Sequence, residues 1–181
     1  ATKDYIPEIV KIALVADWGS GTLEAQTVSN LVQQYAPDYT FHLGDVYYEA
    51  LPEEIDANVL GKSPNAYQRG VTFHDEMTKK SFWLNGNHEM LSLGHGYFNH
   101  LLPIKSQLTS YMVLENEHWR VIGLDTGYGS YNQFKAIEGI NELSETDAAL
   151  NSEQYDWLNG TLELTESCKT DKRGIVILTH H

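Results

Sequence analysis

The sequence predicts an α/β fold in which helices cover the β-sheets, and three observations support this prediction. Short apolar runs recur along the chain, rich in β-branched or aromatic residues and bounded by Gly, Asp or Asn. Segments with helical periodicity separate several of these runs. The chain has 181 residues, the length of one domain, and contains no internal repeat or linker. Fully apolar strands that alternate with helices are typical of layered α/β proteins.

Four of the apolar runs are predicted as buried strands because they are short and end at turn-forming residues: 9–16, 39–44, 81–85 and 174–181. A further pair of strands is predicted at 110–114 and 119–125, joined by a short connection. These six segments provide the sheets of the predicted fold.

Two segments between the strands have the features of helices. Val28, Leu31, Val32 and Tyr35 recur with helical spacing and predict the apolar face of an amphipathic helix. A second helix is predicted to begin at Asn151, which forms a capping-box pattern with Gln154. The stretches 49–76 and 127–146 lack periodicity. Loops of this length in a compact domain are usually functional.

The charge and composition exclude several classes of protein. The net charge of −13 argues against a nucleic-acid or anionic-membrane surface, because a negative field repels phosphate backbones. A single cysteine excludes an internal disulfide and a cysteine-based zinc cage. The apolar runs are far shorter than the ~20 residues of a membrane-spanning helix. No targeting signal is visible, so a soluble protein of unknown compartment is expected.

Metal-ligand residue types follow four of the predicted strands in turn. These residues are Asp17, Asp45, Tyr48, Asn87, His88 and His180. In an α/β sheet, ligands bind beyond the carboxyl ends of the strands, so these side chains are expected to converge. Carboxylate, amide, phenolate and imidazole groups suit iron, manganese or zinc.

A pair of metal ions about 3.5–4 Å apart clamps the oxygens of a phosphoryl displacement and needs a bridging ligand. Asp45, in the tight turn after Gly44, is the natural bridging carboxylate. Gly44 and Gly86 would let the backbone approach closely where a Cβ atom would clash.

Several of the assigned residues have a simpler alternative explanation. Asp17 and Asp45 are also common turn residues at strand ends. Tyr48 stands beside another tyrosine, and packing against the core is the lesser alternative to a role as ligand. His181 and His95 are candidate substrate contacts, and either is also consistent with a solvated surface residue.

The ordered motifs resemble those of the calcineurin-like metallophosphoesterases. The matching segments are Asp17-Trp18-Gly19, Gly44-Asp45, Gly86-Asn87-His88-Glu89 and the strand-end His180. The resemblance is closest to the purple acid phosphatase branch, since Gly19 stands where many relatives have His and Tyr48 follows Asp45 by three positions. It implies two mixed sheets packed face to face and flanked by helices, a four-layer αββα sandwich.

The same resemblance implies a metal-dependent hydrolase of phosphate esters. One metal would be held by Asp17, Asp45 and Tyr48, and the other by Asp45, Asn87 and His180. The pair would be iron with iron, zinc or manganese. His88 would bind the phosphate and protonate the leaving group, and a metal-bound water would be the nucleophile.

One departure from the family pattern is large. The closing Gly-His-x-His motif is absent, so each metal lacks one histidine and the sheet lacks its last strands. Residues 1–181 are therefore expected to be the N-terminal part of a metallophosphoesterase domain, with the C-terminal remainder as a partner. The alternatives are a non-catalytic protein-binding module on the same fold, a redox iron site, or a phosphodiesterase or protein phosphatase of the same superfamily.

Overall fold

The computed structural model describes residues 2–62, 80–130, 149–167 and 169–181. Most of the two predicted long loops, residues 63–79 and 131–148, lies outside the described residues, as does Cys168. The described part of the first loop contains helix α2 (Pro52–Asn58). No helix within the described ranges is long and apolar enough to cross a bilayer.

The smaller sheet contains three parallel strands in the order β2, β3, β4. Their bounds are Ile12–Val15, Tyr39–His42 and Lys80–Trp83. Leu14, Phe41 and Phe82 occupy the same register and therefore share one face. Because all three strands are parallel, their carboxyl ends, with the predicted ligands, lie along a single edge.

The larger sheet is mixed and has the order β1, β5, β6, β7. Its strands are Thr2–Tyr5, Met112–Glu115, Trp119–Gly123 and Gly174–Leu178. Strand β5 runs antiparallel to β6, whereas β1 and β7 pair in parallel with their neighbours. Strand β1 was not predicted, because its polar residues show no apolar run and its pairing with β5 is entirely non-local.

The two sheets pack face to face and helices cover their outer faces. Phe41, Phe82 and Leu84 of the smaller sheet join Met112 and Leu114 of the larger sheet in one core cluster. Helix α1 (Leu23–Tyr35) covers the smaller sheet, and α4 (Ser152–Asp156) with the π-helical turn Trp157–Thr161 covers the larger. This arrangement confirms the predicted α/β class of two sheets flanked by helices.

Short helical segments complete the described chain. They are a 3₁₀ helix at Glu89–Ser92, a π-helical turn at Tyr97–Leu101, α3 at Leu102–Ile104 and α5 at Leu164–Ser167.

Helix α1 forms as predicted, but of the four residues of its predicted apolar face only Val32 packs against the core. Val28, Leu31 and Tyr35 are 39, 47 and 70% exposed, and the buried residues are Ala25 and Ser29. Small side chains at the contact allow the helix to approach the sheet closely. The indole of Trp18 is buried there and donates a hydrogen bond of 2.7 Å to the Ala25 carbonyl.

The predicted helix start at Asn151 is confirmed by its cap. The Asn151 side chain accepts a hydrogen bond from the Gln154 backbone N–H at 2.9 Å. The Gln154 side chain does not complete the capping box and instead bonds the backbone of Asp125 through both its oxygen and its nitrogen, each at 2.9 Å. The helix is therefore tied to the end of β6.

Candidate metal centre

Three ligand-type side chains from both sheets converge at one end of the sandwich. Asp17 follows β2, Asp45 follows β3 and His180 follows β7, and each offers a ligand atom within 4.8 Å of the other two. Asn87, after β4, completes the group, because its Oδ1 lies 3.1 Å from Nε2 of His180. The predicted convergence at the carboxyl ends of the strands is present in the structure.

Backbone conformation directs the two aspartates out of their strands. Asp17 and Asp45 have φ angles of 55° and 72°, in the left-handed region, where the chain cannot continue a β-ladder. The Asp17 N–H donates to the Gly44 carbonyl at 3.0 Å and so joins the two turns. These left-handed residues follow closely on the ends of β2 at Val15 and β3 at His42.

Two glycines allow the turns to pack against each other. A Cβ atom at Gly44 would lie 2.7 Å from Nδ1 of His180 and 2.8 Å from the Gly86 backbone. A Cβ atom at Gly86 would collide with Oδ1 of Asp45. The close approach expected at Gly44 and Gly86 is therefore present.

The hydrogen bonds of His180 leave one ring nitrogen for a cation. Nδ1 lies 3.0 Å from the Leu43 carbonyl, to which it donates its hydrogen. With that proton on Nδ1, the Nε2 lone pair faces Oδ1 of Asp45 at 3.4 Å and Oδ1 of Asn87 at 3.1 Å. A metal ion among these three acceptor atoms could bind all of them. In metal sites a histidine ligand usually donates its other ring N–H to a carbonyl or carboxylate, as His180 does to the Leu43 carbonyl. The donor set of carboxylate, amide and imidazole groups fits a first-row transition metal.

His88 lies beside Asp45 but is not one of the converging side chains Asp17, Asp45, Asn87 and His180. Its backbone N–H donates to Oδ1 of Asp45 at 3.0 Å, and its Nδ1 lies 2.6 Å from the Tyr48 carbonyl. Nε2 is 3.9 Å from Oδ2 of Asp45, and the side chain is 18% exposed. With Nδ1 bonded to the backbone, Nε2 is the nitrogen available to a substrate.

The structure brings Tyr47 rather than Tyr48 against the aspartates. The Tyr47 hydroxyl donates to Oδ1 of Asp17 at 2.7 Å and lies 3.5 Å from Oδ2 of Asp45. Burial, and then the hydrogen bond to Asp17, raise the pKa of this hydroxyl. Tyr48 is 63% exposed and packs edge-on against His88. Motif spacing selected Tyr48, and no signal in the sequence shows which of two adjacent tyrosines faces the cluster.

Glu89 is a second residue that the sequence analysis did not assign. It follows His88 in the third motif and is only 1% exposed. Burial raises the pKa of Glu89 to about 7, and the nearby Asp45 carboxylate acts in the same direction. An acidic residue inside a motif, followed by apolar Met90 and Leu91, is the signal that could have marked it as buried.

Of the two candidate substrate contacts, only His181 lies next to the centre. Its backbone N–H donates to the Thr126 hydroxyl at 3.1 Å, and its ring is 4.6 Å from the ring of His180. Burial, followed by the neighbouring His180, lowers the pKa of His181. His95 is exposed, with Nδ1 3.4 Å from the Asn99 amide, and the structure does not bring it into the cluster.

A cavity of about 870 Å³ lies at the opposite end of the larger sheet. Its lining includes Glu115, which is 3% exposed and accepts hydrogen bonds from Arg120 at 3.2 Å and Arg173 at 3.0 Å. The charged groups of this wall form an ion-pair network, in which Asp171 also pairs with Arg173, and the ligand-bearing turns lie at the other end.

Comparison with known proteins agrees with this geometry. The sequence matches the family model for calcineurin-like phosphoesterases over residues 10–181. No curated protein matches it at a significant level. A solved structure described as a dimetal phosphatase from Danio rerio is similar in fold, with a TM-score of 0.59 and 14% sequence identity, over 95% of this chain and 69% of that one. The family motifs converge in space and the family model spans nearly the whole sequence, so the chain belongs to the calcineurin-like phosphoesterases, a family of phosphoric ester hydrolases.

Proposed function

We propose that the protein hydrolyses phosphate esters with a dinuclear metal centre of the purple acid phosphatase type. The observation that carries this proposal is the convergence of Asp17, Asp45 and His180 within 4.8 Å of one another. One ion would be held by Asp17, Asp45 and a tyrosine, for which motif spacing favours Tyr48, and the other by Asp45, Asn87 and His180. We propose iron paired with iron, zinc or manganese.

The position of Asp45 supports its role as the bridging ligand. Its Oδ1 faces Nε2 of His180 at 3.4 Å, whereas its Oδ2 lies 3.5 Å from the Tyr47 hydroxyl, on the side of Asp17. The two carboxylate oxygens therefore face the two halves of the cluster. When bound, a pair of metal ions there would polarise the phosphoryl group and lower the pKa of a water molecule.

His88 supplies the proton chemistry of the proposed reaction. Its Nδ1 is fixed by the Tyr48 carbonyl at 2.6 Å, which leaves Nε2 for an oxygen of the substrate. A protonated Nε2 can donate to the leaving alkoxide, and the half-buried ring between two tyrosines limits competing water. His181, whose ring packs on His180, is the proposed second contact for the phosphate group.

The test is the substitution Asp45→Asn. A neutral amide bridges two cations poorly, so metal affinity at both positions should fall by about tenfold or more. Elemental analysis measures the bound metal, and hydrolysis of chromogenic phosphate monoesters and diesters measures turnover and distinguishes a phosphatase from a phosphodiesterase. Asp56→Asn is the matched control, because Asp56 pairs with His100 and Lys62 outside the cluster.

Full occupancy of both metal positions in Asp45→Asn would exclude Asp45 as the bridge. Metal binding by the parent protein without turnover of any phosphate ester would favour the non-catalytic module over the hydrolase.

A further inference from the structure

We propose that Glu89 is a positioning residue that locks the two ligand-bearing turns together and thereby sets the metal affinity of the centre. This inference rests on the proposed dinuclear function. Glu89 does not contact Asp17 or His180, and its role would be exerted through the backbone of other ligands.

The carboxylate of Glu89 accepts backbone hydrogen bonds from both turns. Its Oε2 accepts from the N–H groups of Asp45 at 3.0 Å and Gly86 at 2.8 Å. Its Oε1 accepts from the N–H group of Val46 at 2.7 Å. Asp45 lies in the turn after β3 and Gly86 in the turn after β4, so one side chain joins the turns that carry the bridging aspartate and Asn87.

The burial of Glu89 makes these bonds depend on the geometry of the turns. A carboxylate that is 1% exposed is costly unless hydrogen-bond donors replace the lost water. The three N–H groups provide that replacement, and hydrogen bonds to an ionised acceptor are the strong ones. If either turn moved, the Glu89 carboxylate would lose hydrogen bonds from the backbone N–H groups of that turn. The carboxylate therefore favours a single arrangement of the two turns.

A reciprocal bond runs in the opposite direction. Oδ1 of Asp45 accepts from the His88 N–H at 3.0 Å, so the first turn also binds the second. Glu89 itself is held at the start of the 3₁₀ helix Glu89–Ser92, where its carbonyl accepts from the Gly94 N–H at 3.0 Å. The backbone that carries the Glu89 side chain is therefore held in place. This geometry suits Glu89 to hold the metal ligands in position before a metal binds.

Two substitutions separate the charge of Glu89 from its reach. Glu89→Gln keeps the length but turns an amide N–H₂ group toward a backbone N–H donor. Glu89→Asp keeps the charge but is one methylene too short to bond both turns. Loss of a group that orients metal ligands typically costs about 10–100-fold in metal affinity, and we expect both variants to fall in that range.

The experiment measures Zn²⁺ binding to the metal-free full-length protein by calorimetric titration, together with thermal unfolding of the metal-free protein. We expect weaker Zn²⁺ binding in both variants and a kcat near the parental value at saturating metal, because Glu89 does not face the substrate. Glu115→Gln is the control, since it also removes a buried carboxylate, 3% exposed, but at the opposite end of the sheet. It should lower the unfolding temperature without weakening Zn²⁺ binding.

Parental Zn²⁺ affinity in both Glu89 variants would overturn the proposal, as would an equal loss of affinity in Glu115→Gln. If Glu89→Gln does not fold, the affinity of Glu89→Asp decides. The outcome is independent of the proposed activity, because Zn²⁺ binding without phosphate-ester turnover would refute the hydrolase while leaving the role of Glu89 in place.

Discussion

The imidazole of His88 lies 4.6 Å from the ring of Tyr47 and 5.0 Å from that of Tyr48, with Nδ1 bonded to the backbone. Because the side chain stands outside the group of converging ligands, its removal should affect chemistry more than metal binding. We predict that His88→Ala lowers kcat by ~10²–10⁴, the usual range for general acid–base assistance, with metal content unchanged. Steady-state kinetics and elemental analysis of the same preparation test this.

His100→Ala is the matched control for that experiment, because the His100 ring pairs with Asp56 at 2.9 Å outside the cluster. A kcat equal to that of the parent in His88→Ala would show that His88 is only a neighbour of the centre. Loss of metal in this variant would instead place its imidazole among the ligands.

The adjacent tyrosines provide a spectroscopic prediction. If iron(III) occupies the first position, a phenolate ligand gives a visible charge-transfer band, and the motif spacing predicts that Tyr48 supplies it. Tyr48 is 63% exposed, so reorientation of its ring toward the metal costs little packing, whereas Tyr47 already donates to Asp17. We expect Tyr48→Phe to lose the band and Tyr47→Phe to keep it, as measured by absorption of the iron-loaded protein.

The opposite pattern would assign the ligand to Tyr47, whose hydroxyl the structure places 2.7 Å from Asp17. A colourless protein loaded with zinc or manganese in place of iron would remove the purple-phosphatase branch and leave the hydrolase proposal intact.

At the scale of elements, strand β7 carries three apolar side chains that are exposed. Ile175 and Ile177 on its outer face are 48 and 57% exposed, and Val176 on its inner face is 36% exposed. Leu14, which faces the space between the sheets from β2, is 50% exposed. Within the described ranges β7 pairs only with β6, which leaves its other edge without a partner strand among those residues. We propose that a further strand pairs with this edge.

An uncovered apolar edge promotes association between chains. We predict that residues 1–181 expressed alone self-associate and that Ile177→Lys shifts the fragment toward monomer, because a charged side chain on an edge strand opposes strand pairing. Sedimentation velocity over a range of concentrations tests this. Leu108→Lys is the control, because Leu108 is 85% exposed but lies outside every strand, and it should leave the association unchanged.

A parent protein that stays monomeric at high concentration would contradict the proposal that this edge is open to pairing.

For the molecule as a whole, electrostatics constrain the substrate. A net charge of −13 repels polyanions, and the expectation that nucleic acid is not a partner remains a prediction based on this long-range field. A small phosphate ester is compatible with the same field only where cations neutralise the carboxylates. The cluster of Asp17 and Asp45 could hold such cations, which is consistent with a metal-dependent reaction.

The sequence by itself determined the strands that carry the motifs and the residues at their ends. The predicted starts at Tyr39, Trp119 and Gly174 coincide with the observed ones, because apolar runs and their turn-forming ends are local properties of the chain. The convergence of Asp17, Asp45 and His180 was predicted from the rule that ligands bind beyond the carboxyl ends of the strands in an α/β sheet.

Only the tertiary structure decided which side chains face one another. The burial of Ala25 in place of Val28 depends on which side of the helix faces the sheet. The contact of Tyr47 with Asp17 and the bonds of Glu89 to two turns join segments that are distant in sequence. Strand β1 likewise exists only through its pairing with β5. These features arise from packing between elements, and hydrophobic periodicity, which describes one element at a time, carries no information about them.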